Sequence, residues 1–225
     1  SVLPAMMLSM MFNNGPDCLQ SRVTSRTEMN PGALAKTAAP DTTEVQVVWK
    51  GKATGASDND VWGQRIGFAR QDENWAAFYI DQDGLVTENV SNFLISEQVG
   101  LPSPPDLAYG GYDDEYLLGW GNMPAFGIPH DFYVQRLGIN PMNELLLLDD
   151  DRVGTVTPQQ NIPIDTSAHD DAGTGVGVAH NSRTNEFLMV YHHADTPTGD
   201  ENIVARLFYG SHIPVLANVQ VSPAD

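Results

Sequence analysis

Short apolar runs, separated by Gly, Pro, Asn and Asp, recur along the whole chain. No run of about 12 residues or more has the apolar spacing i, i+3, i+4, i+7 of an amphipathic helix. The 20 glycines and 15 prolines punctuate the 225 residues often enough to end many short strands. The pattern predicts an all-β protein.

One pair of these runs returns about every 71 residues. The first run starts with Glu and ends with Trp or Tyr, and it lies at residues 44–49, 115–120 and 186–191. The second run follows a loop and contains Arg65, Arg136 or Arg206. The Glu and aromatic spacings are 71 and 71, and the arginine spacings are 71 and 70. Three residue types in register through two offsets indicate an internal repeat, in which one unit is copied and stacked.

The repeat divides a single predicted domain, residues 1–225, into one partial and three full units. The predicted bounds are 1–30 for the partial unit and 31–101, 102–172 and 173–225 for the full units. In each full unit a short apolar segment precedes the Glu run and is predicted to form a hairpin with it. These segments contain Ala108, Ala179 and, in the first unit, residues 33–36. In the partial unit, residues 18–23 resemble the arginine run.

The predicted strands are apolar on both faces. Along residues 132–137, Phe132 and Val134 point one way, whereas Tyr133 and Leu137 point the other way. A sheet that faced water on one side would alternate more cleanly. Sheets covered on both faces at a regular period fit a stack such as the blades of a β-propeller, although closed propellers have about four to eight blades. The predicted fold is therefore an all-β, propeller-like repeat array.

The same residues resemble a known class of repeat. The frame Glu-aromatic-Leu-x-x-Trp, a variable loop, Asp-x-x-x-Gln-Arg-Leu and a later Phe-x-Ile-Ser at residues 93–96 is similar to repeats of large secreted bacterial proteins that look like β-propeller blades. The resemblance covers roughly residues 31–220, and this chain departs from it in having a longer unit. It implies an extracellular, binding or otherwise non-catalytic role, and it carries over no catalytic residues.

Charge narrows the choice of partner. The chain has 29 acidic and 11 basic residues, for a net charge of −18. Such a surface repels nucleic acid and anionic membranes and suits cations, so we expect no nucleic-acid partner. No apolar run approaches the roughly 18 residues of a membrane span, so no span is expected. Cys18 is the single cysteine, which excludes an intramolecular disulfide.

The repeated charged and aromatic residues have a structural interpretation. An arginine beside apolar neighbours on a strand needs a partner, because a buried unpaired charge is very costly. We expect the Arg residues to pair with Glu44, Glu115 and Glu186 and to fix the strands, rather than to line a channel. We expect the aromatic residues to be core anchors rather than platforms for sugars. They are Trp49, Trp120 and Tyr191.

Two candidate metal sites are present in the sequence. Asp81 and Asp83, followed by Gly84 and Glu88, have the oxygen ligands that Ca²⁺ prefers, but they lack a full twelve-residue calcium loop. Ca²⁺ is the one candidate ion. The second candidate combines His180, His192 and His193 with Asp195. Neighbouring histidines on a strand point to opposite faces, so His192 and His193 are not expected to bind one ion together.

The loops between the two runs of each unit vary while the runs are kept. In a stacked array such loops emerge on one rim, and loops carry recognition. The predicted binding rim consists of Asp58, Asp60, Asp131, Asp200 and Glu201. The sequence contains no nucleophile elbow, P-loop, zincin motif or dinucleotide fingerprint.

We therefore predict a non-catalytic extracellular protein that binds or assembles. Its expected partner is a protein or its own subunits, with carbohydrate as the further candidate. The alternative is a carbohydrate-active hydrolase on a propeller that uses paired carboxylates. A binding array should keep equivalent residues in each unit, whereas a hydrolase should break the symmetry with two or three carboxylates in one pocket.

Overall fold

A computed structural model describes most of the repeated region. The described residues are 21–26, 42–51, 60–71, 74–87, 91–97, 100–111, 114–123, 131–148, 155, 157–158, 160–165, 175–194, 201–209 and 219–220. All regular secondary structure in them is β-strand, arranged in three antiparallel sheets. The prediction of an all-β protein is confirmed.

The sheets follow one another along the chain. The first contains, in spatial order, β1 (Ser21–Arg26), β2 (Thr42–Gly51), β3 (Asp60–Gln71), β4 (Asn74–Ile80) and β5 (Val86–Thr87), and β6 (Phe93–Ser96) also pairs with β3. The second contains β7 (Leu101–Pro102), β8 (Asp106–Gly110), β9 (Glu115–Met123), β10 (Asp131–Ile139), β11 (Leu145–Leu148) and β12 (Ile162–Asp165). Here β9 and β10 are central; β7 and β8 pair with β9, and β11 and β12 pair with β10. The third contains β13 (Val176–Asn181), β14 (Glu186–Ala194), β15 (Glu201–Tyr209) and β16 (Val219–Gln220) in that order.

The two runs of each predicted repeat are neighbouring strands. They form the antiparallel pairs β2–β3, β9–β10 and β14–β15. The Glu at the start of each first run lies opposite a residue of the second strand, and these opposite residues are again 71 apart: Gly67, Gly138 and Tyr209. The strand register therefore keeps one spacing through all three sheets.

The strand on the other side of β2 is not the predicted one. All six residues of β1, Ser21–Arg26, pair with β2, in the place that β8 and β13 take beside β9 and β14. The sequence predicts instead that residues 18–23 belong to a partial unit and that residues 33–36 pair with the Glu run. Residues 33–36 lie outside the described part of the chain.

Two apolar layers hold the three sheets in a row. One layer joins Val48, Val61, Phe93 and Ile95 of the first sheet to a set of side chains from the second sheet. That set is Leu107, Tyr116, Leu118, Trp120, Leu137, Leu145 and Leu147. The other layer joins the opposite face of the second sheet to the third sheet, and it comprises Ala108, Leu117, Phe132, Val134 and Ile164 with Phe187, Met189, Tyr191, Val204 and Phe208.

The second sheet is thus covered on both faces, as its sequence predicts. Phe132 and Val134 lie in one layer, whereas Leu137 and Tyr133 lie in the other. The described residues nevertheless form three open sheets, none of which is closed or propeller-like. The predicted propeller is therefore corrected to three open sheets, because none of the described sheets closes on itself. The two apolar layers join the first of these sheets to the second and the second to the third.

Burial in these layers can be tested at two equivalent positions. Leu117 is fully buried between the second and third sheets, whereas Leu188, 71 residues later, is 38% exposed on the third sheet. Leu117→Ala should lower the free energy of unfolding by about 2–5 kcal/mol, because it leaves a cavity. Leu188→Ala should lower the free energy of unfolding by about 1 kcal/mol or less, because the Leu188 side chain buries less apolar surface on folding. Urea denaturation of both variants measures the difference; equal losses would contradict the stacking order.

Candidate functional site

A buried ion pair lies on one face of each of the first two sheets. In the first sheet, Arg65 Nε is 2.9 Å from Glu44 Oε1 and its Nη2 is 3.0 Å from Oε2. In the second, Arg136 Nη1 is 2.5 Å from Glu115 Oε1. All four side chains are buried. The expected Glu–Arg pairs are confirmed for these two sheets.

Each of these arginines also reaches into the following sheet. Arg65 donates to the backbone oxygen of Asn143 at 2.7 Å and to its Oδ1 at 2.8 Å, and Asn143 lies between β10 and β11. Arg136 donates to the backbone oxygen of Tyr209, at the end of β15, at 2.6 Å. One guanidinium therefore joins the carboxylate of its own sheet to the backbone of the next. Bonds of this kind are what make a buried charge tolerable.

Asn143 is held in position for Arg65 by its own turn. Its φ of 69° lies in the left-handed region, which Asn tolerates better than most residues. Its backbone N–H donates to the Asn140 oxygen at 2.8 Å, and its Nδ2 donates to the Gly84 oxygen of the first sheet at 3.2 Å. The sequence analysis missed Asn143, and the only local signal for it was the Asn-Pro-Met-Asn turn at residues 140–143.

The residue before each arginine closes a gap in the sheet. β3 pairs with β4 from Arg65 onward and with β6 up to Gly63, so Gln64 faces the break between its two partner strands. Gln64 Nε2 donates to the Ile80 oxygen at 3.2 Å, and its Oε1 accepts from the Ser91 N–H at 2.9 Å. The side chain thus satisfies backbone groups on both sides of the break.

Gln135 has the same role in the second sheet. It faces the break between β11 and β12, and its Nε2 donates to the Leu148 oxygen at 2.8 Å. Its Oε1 accepts from Asn161 Nδ2 at 3.0 Å, and Asn161 Nδ2 also lies 3.1 Å from the Ile95 oxygen in the first sheet. The Gln-Arg dipeptide therefore has two structural roles: Gln bonds to the chain on both sides of the break in its sheet, and Arg joins the sheet to the next one.

The third sheet lacks this Gln-Arg arrangement, and Arg206 is not the equivalent of Arg65 and Arg136. Arg65 lies opposite Gln46 and Arg136 opposite Leu117, but the residue opposite Leu188 is Leu207. Arg206 lies opposite Met189, on the face that packs against the second sheet. The arginine spacing of 70 instead of 71 causes this change, because a shift of one residue along a strand moves a side chain to the other face.

The position that Arg206 occupies is that of Gln64 and Gln135, and its side chain is half-buried. Glu186 is also half-buried and accepts a hydrogen bond from the hydroxyl of Thr184 in the preceding turn. The prediction of a third buried Glu–Arg pair in this register is therefore wrong.

The repeated aromatic residues are core residues in two of the three sheets. Trp120 and Tyr191 are fully buried, with Trp120 stacked on Tyr133 at 6.0 Å and Tyr191 4.6 Å from Phe132. Trp49 is half-buried beside Val45 and Val47 on the outward face of the first sheet. Trp120 and Tyr191 are thus core anchors, as predicted.

The candidate calcium site consists of Asp81 and Asp83, which the structure describes, and Glu88, which it does not. Asp81 Oδ1 accepts a hydrogen bond from the Leu85 N–H at 2.8 Å, so this carboxylate closes its own turn, while Asp83 is exposed. Glu88 lies outside the described residues. Among the residues that the structure describes, no group of three or more His, Cys, Asp or Glu side chains is arranged to hold a metal ion. A calcium role for this turn stays a prediction.

The histidine candidate is spread along β14 and its neighbour. His180 lies opposite Phe187, near the start of β14, and its Nε2 is 3.1 Å from Asn185 Oδ1. His192 lies near the other end of β14, opposite Ile203. The side chain of His193 and residue Asp195 are outside the description.

The described rim residues open the second strand of each repeated pair. Asp60 lies opposite Gly51, Asp131 opposite Asn122, and Glu201 opposite Ala194. The connecting loops thus leave equivalent ends of the three strand pairs, whereas Asp58 and Asp200 fall outside the described residues. At Asp131, Oδ2 accepts a hydrogen bond from the Tyr133 hydroxyl at 3.2 Å. Burial, together with the charge and hydrogen bond of Asp131, raises the pKa of Tyr133 to about 12.

Three buried carboxylates serve the scaffold. Glu44 and Glu115 hold arginines, and Asp106, which sequence analysis missed, joins two sheets. Its Oδ1 accepts from the Leu107 N–H at 2.8 Å, and its Oδ2 accepts from the Val178 N–H of the third sheet at 2.8 Å. Asp106 therefore fixes the third sheet relative to the second.

No protein-family model matches this chain, and neither a curated protein nor a solved structure matches it. Within the described residues, no helix has the length and apolar character needed to cross a membrane.

The same substitution, arginine to glutamine, should have different effects on stability at Arg136 and Arg206. Arg136→Gln should lower the free energy of unfolding by about 3–5 kcal/mol, because it leaves Glu115 buried without its cation. Arg206→Gln should cost about 1 kcal/mol or less, because Arg206 is half-buried and glutamine is the residue of the other two sheets at this position. Chemical denaturation measures both. A larger loss for Arg206→Gln would contradict the register.

Tyr133 should make the fold sensitive to high pH. Between pH values of about 10 and 12 the folded protein keeps the Tyr133 proton while the unfolded chain loses it, so stability falls as pH rises through this window. Relative to Tyr133→Phe, the wild type should therefore be less stable at about pH 11 than at about pH 9. Asp131→Asn should reduce the pH effect. A pH-independent difference between wild type and Tyr133→Phe would rule out the raised pKa.

Proposed function

We propose that this protein is a non-catalytic, extracellular scaffold that binds or assembles through its rim, built as an array of three repeated sheets. The observation that carries the proposal is that Asp60, Asp131 and Glu201 each begin the second strand of a repeated strand pair. Asp60 and Asp131 are in register, whereas Glu201 is one residue out of register with them. Each of the three follows a loop of different sequence. Variable loops on a repeated frame are typical of binding surfaces.

The buried polar groups support a scaffold role. Arg65, Arg136 and Asp106 each bond across a sheet boundary, and Gln64 and Gln135 each bond across a break within a sheet. Their hydrogen-bonding capacity is used to fix the sheets relative to one another. A frame fixed in this way can present loops without rearrangement, which lowers the entropic cost of binding.

The charge of the rim favours a basic partner surface. The rim carboxylates add to a net charge of −18, so opposite charge on the partner would steer association. A basic protein surface is the partner that this arrangement fits best. The same acidic surface suits a salty extracellular medium, where acidic groups keep a protein soluble.

Charge removal at the rim tests the proposal. The triple variant Asp60→Asn, Asp131→Asn, Glu201→Gln should bind a cationic polypeptide such as polylysine about tenfold more weakly than the wild type, because the rim loses three charges. The matched control is Asp83→Asn, Glu97→Gln, Glu144→Gln, which removes three charges elsewhere. Titration at several salt concentrations measures both. Equal weakening in the two triples would show that only the net charge matters and would contradict a binding rim.

A further inference from the structure

Two tryptophans lie side by side on the face of the first sheet that is turned away from the second sheet. Trp49 of β2 is directly opposite Trp62 of β3, and nearer the rim Gly51 is directly opposite Asp60. Directly opposite residues of an antiparallel pair have their side chains on the same face. The two indoles and the rim carboxylate therefore share one surface, the tryptophan site, which consists of Trp49, Gly51, Asp60 and Trp62.

Gly51 allows both indoles of the tryptophan site to approach the same stretch of backbone. A Cβ atom at Gly51 would lie 3.2 Å from Trp49 Nε1 and 3.8 Å from Trp62 Cδ1. The indole N–H of Trp62 donates to the Gly51 backbone oxygen at 3.3 Å, which holds this ring across the strand pair. A side chain at Gly51 would occupy the space that the two rings flank.

The exposure of these two rings distinguishes the first sheet from the other two. Trp49 and Trp62 are both half-buried. At the equivalent positions of the second sheet, Trp120 is fully buried and stacks on Tyr133 in the apolar layer against the first sheet. In the third sheet the equivalent pair is Tyr191, which is fully buried, and Val204. Only the first of the three described strand pairs has two partly exposed aromatic rings here.

The charge around the tryptophan site favours a cationic ligand. Asp60 brings a carboxylate to the same face as the indoles, whereas Lys50 lies opposite Val61 on the face that packs against the second sheet. The chain as a whole carries a net charge of −18. The face of an indole attracts a cation through its π electrons, and a carboxylate beside it adds Coulombic attraction.

Of the two permanently cationic side chains, arginine fits this arrangement better than lysine. A guanidinium is planar, so it can stack on an indole while its N–H groups donate to a carboxylate. A lysine ammonium is a compact, strongly hydrated point charge, and it has no planar surface to stack. Tryptophan and arginine are also among the residue types that contribute most to binding at protein interfaces.

We propose that the tryptophan site binds an arginine side chain of the basic partner, with the guanidinium stacked on an indole and its N–H groups directed at Asp60. The inference rests on the proposed function, because Asp60 belongs to the binding rim, and it names the residue type that the first sheet selects. In the second sheet the Tyr133 hydroxyl donates to Asp131, and Trp120 is buried. The selection of arginine is therefore expected at the first sheet only.

Binding of oligoarginine and oligolysine peptides of equal length tests the proposal. The wild type should bind the arginine peptide about threefold or more tightly than the lysine peptide, because guanidinium stacks on tryptophan. Trp62→Val copies the third sheet and should abolish this preference, whereas Trp62→Tyr copies the second sheet and should keep part of it. Fluorescence anisotropy of labelled peptides at about 0.15 M salt measures the ratio of the two affinities.

A second variant keeps the test decisive if Trp62→Val fails to fold. Gly51→Asn copies the residue of the second sheet, Asn122, and fills the space between the indoles, so it should also remove the preference. The matched control is Phe68→Leu. Phe68 is half-buried on the same face of β3, away from the rim, so its replacement should leave the preference unchanged.

Three results would overturn the proposal. The first is equal affinity of the wild type for the two peptides. The second is a preference for arginine that survives in folded Trp62→Val or Gly51→Asn. The third is binding of a neutral glucose oligosaccharide, such as cellohexaose, that these two variants abolish, because the site would then stack sugars instead of guanidinium.

The lysine peptide separates this inference from the binding rim. If the rim charge variant weakens lysine-peptide binding while the wild type shows no preference for arginine, the rim stands and the arginine site is wrong. If the rim variant and its charge control bind the lysine peptide equally, but the arginine preference depends on Trp62, the rim is wrong and the arginine site stands.

Discussion

The stacking of the sheets depends on the need to satisfy a buried guanidinium. Arg65 and Arg136 are fully buried, and a charge in that position requires both a counter-charge and hydrogen-bond acceptors. The carboxylate comes from the same sheet and the acceptors come from the next one. Apolar layers alone would allow neighbouring sheets to slide, because hydrophobic contact has little directionality. The arginines specify one register between sheets.

The repeat therefore includes the contacts between neighbouring sheets as well as the strand pairs within each sheet. In each of the first two sheets one face carries the Glu–Arg pair, and in the second sheet the other face carries the apolar residues that receive the first sheet. The third sheet keeps the receiving face, with Phe187, Met189 and Tyr191, and loses the paired face.

Much of the strand framework was predictable from the sequence. The three strand pairs, the two covered faces of β10 and the burial of Arg65 and Arg136 follow from the period of 71 residues and the positions of apolar residues. The equivalent of Arg136 in the third sheet is Leu207, and the sequence did not predict it. The neighbouring Arg206 has the same residue type as Arg136, so the slip in register was not visible from the sequence. Asn143 and Asp106 did not follow either, because their partners lie 78 and 72 residues away and only the packing of two sheets brings them together. The open row also differs from the propeller that the resemblance implied.

The break in strand pairing beside Gln64 and Gln135 has a consequence for how such a unit can change its length. At each break the chain makes an excursion between one partner strand and the next. Gln64 bonds backbone groups on both sides of its break, whereas Gln135 bonds the Leu148 backbone oxygen on one side and the Asn161 side chain on the other. In the first sheet the start of this excursion contacts the Arg65 site, because the Asp81 oxygen accepts from Arg65 Nη1 at 3.3 Å and the Gly84 oxygen accepts from Asn143 Nδ2 at 3.2 Å. Segments of different length are therefore expected after Gly84, where an insertion leaves these contacts between the sheets in place. The glutamine would then mark the insertion point of the unit, where homologous units diverge in size and where a foreign segment could be grafted into the array.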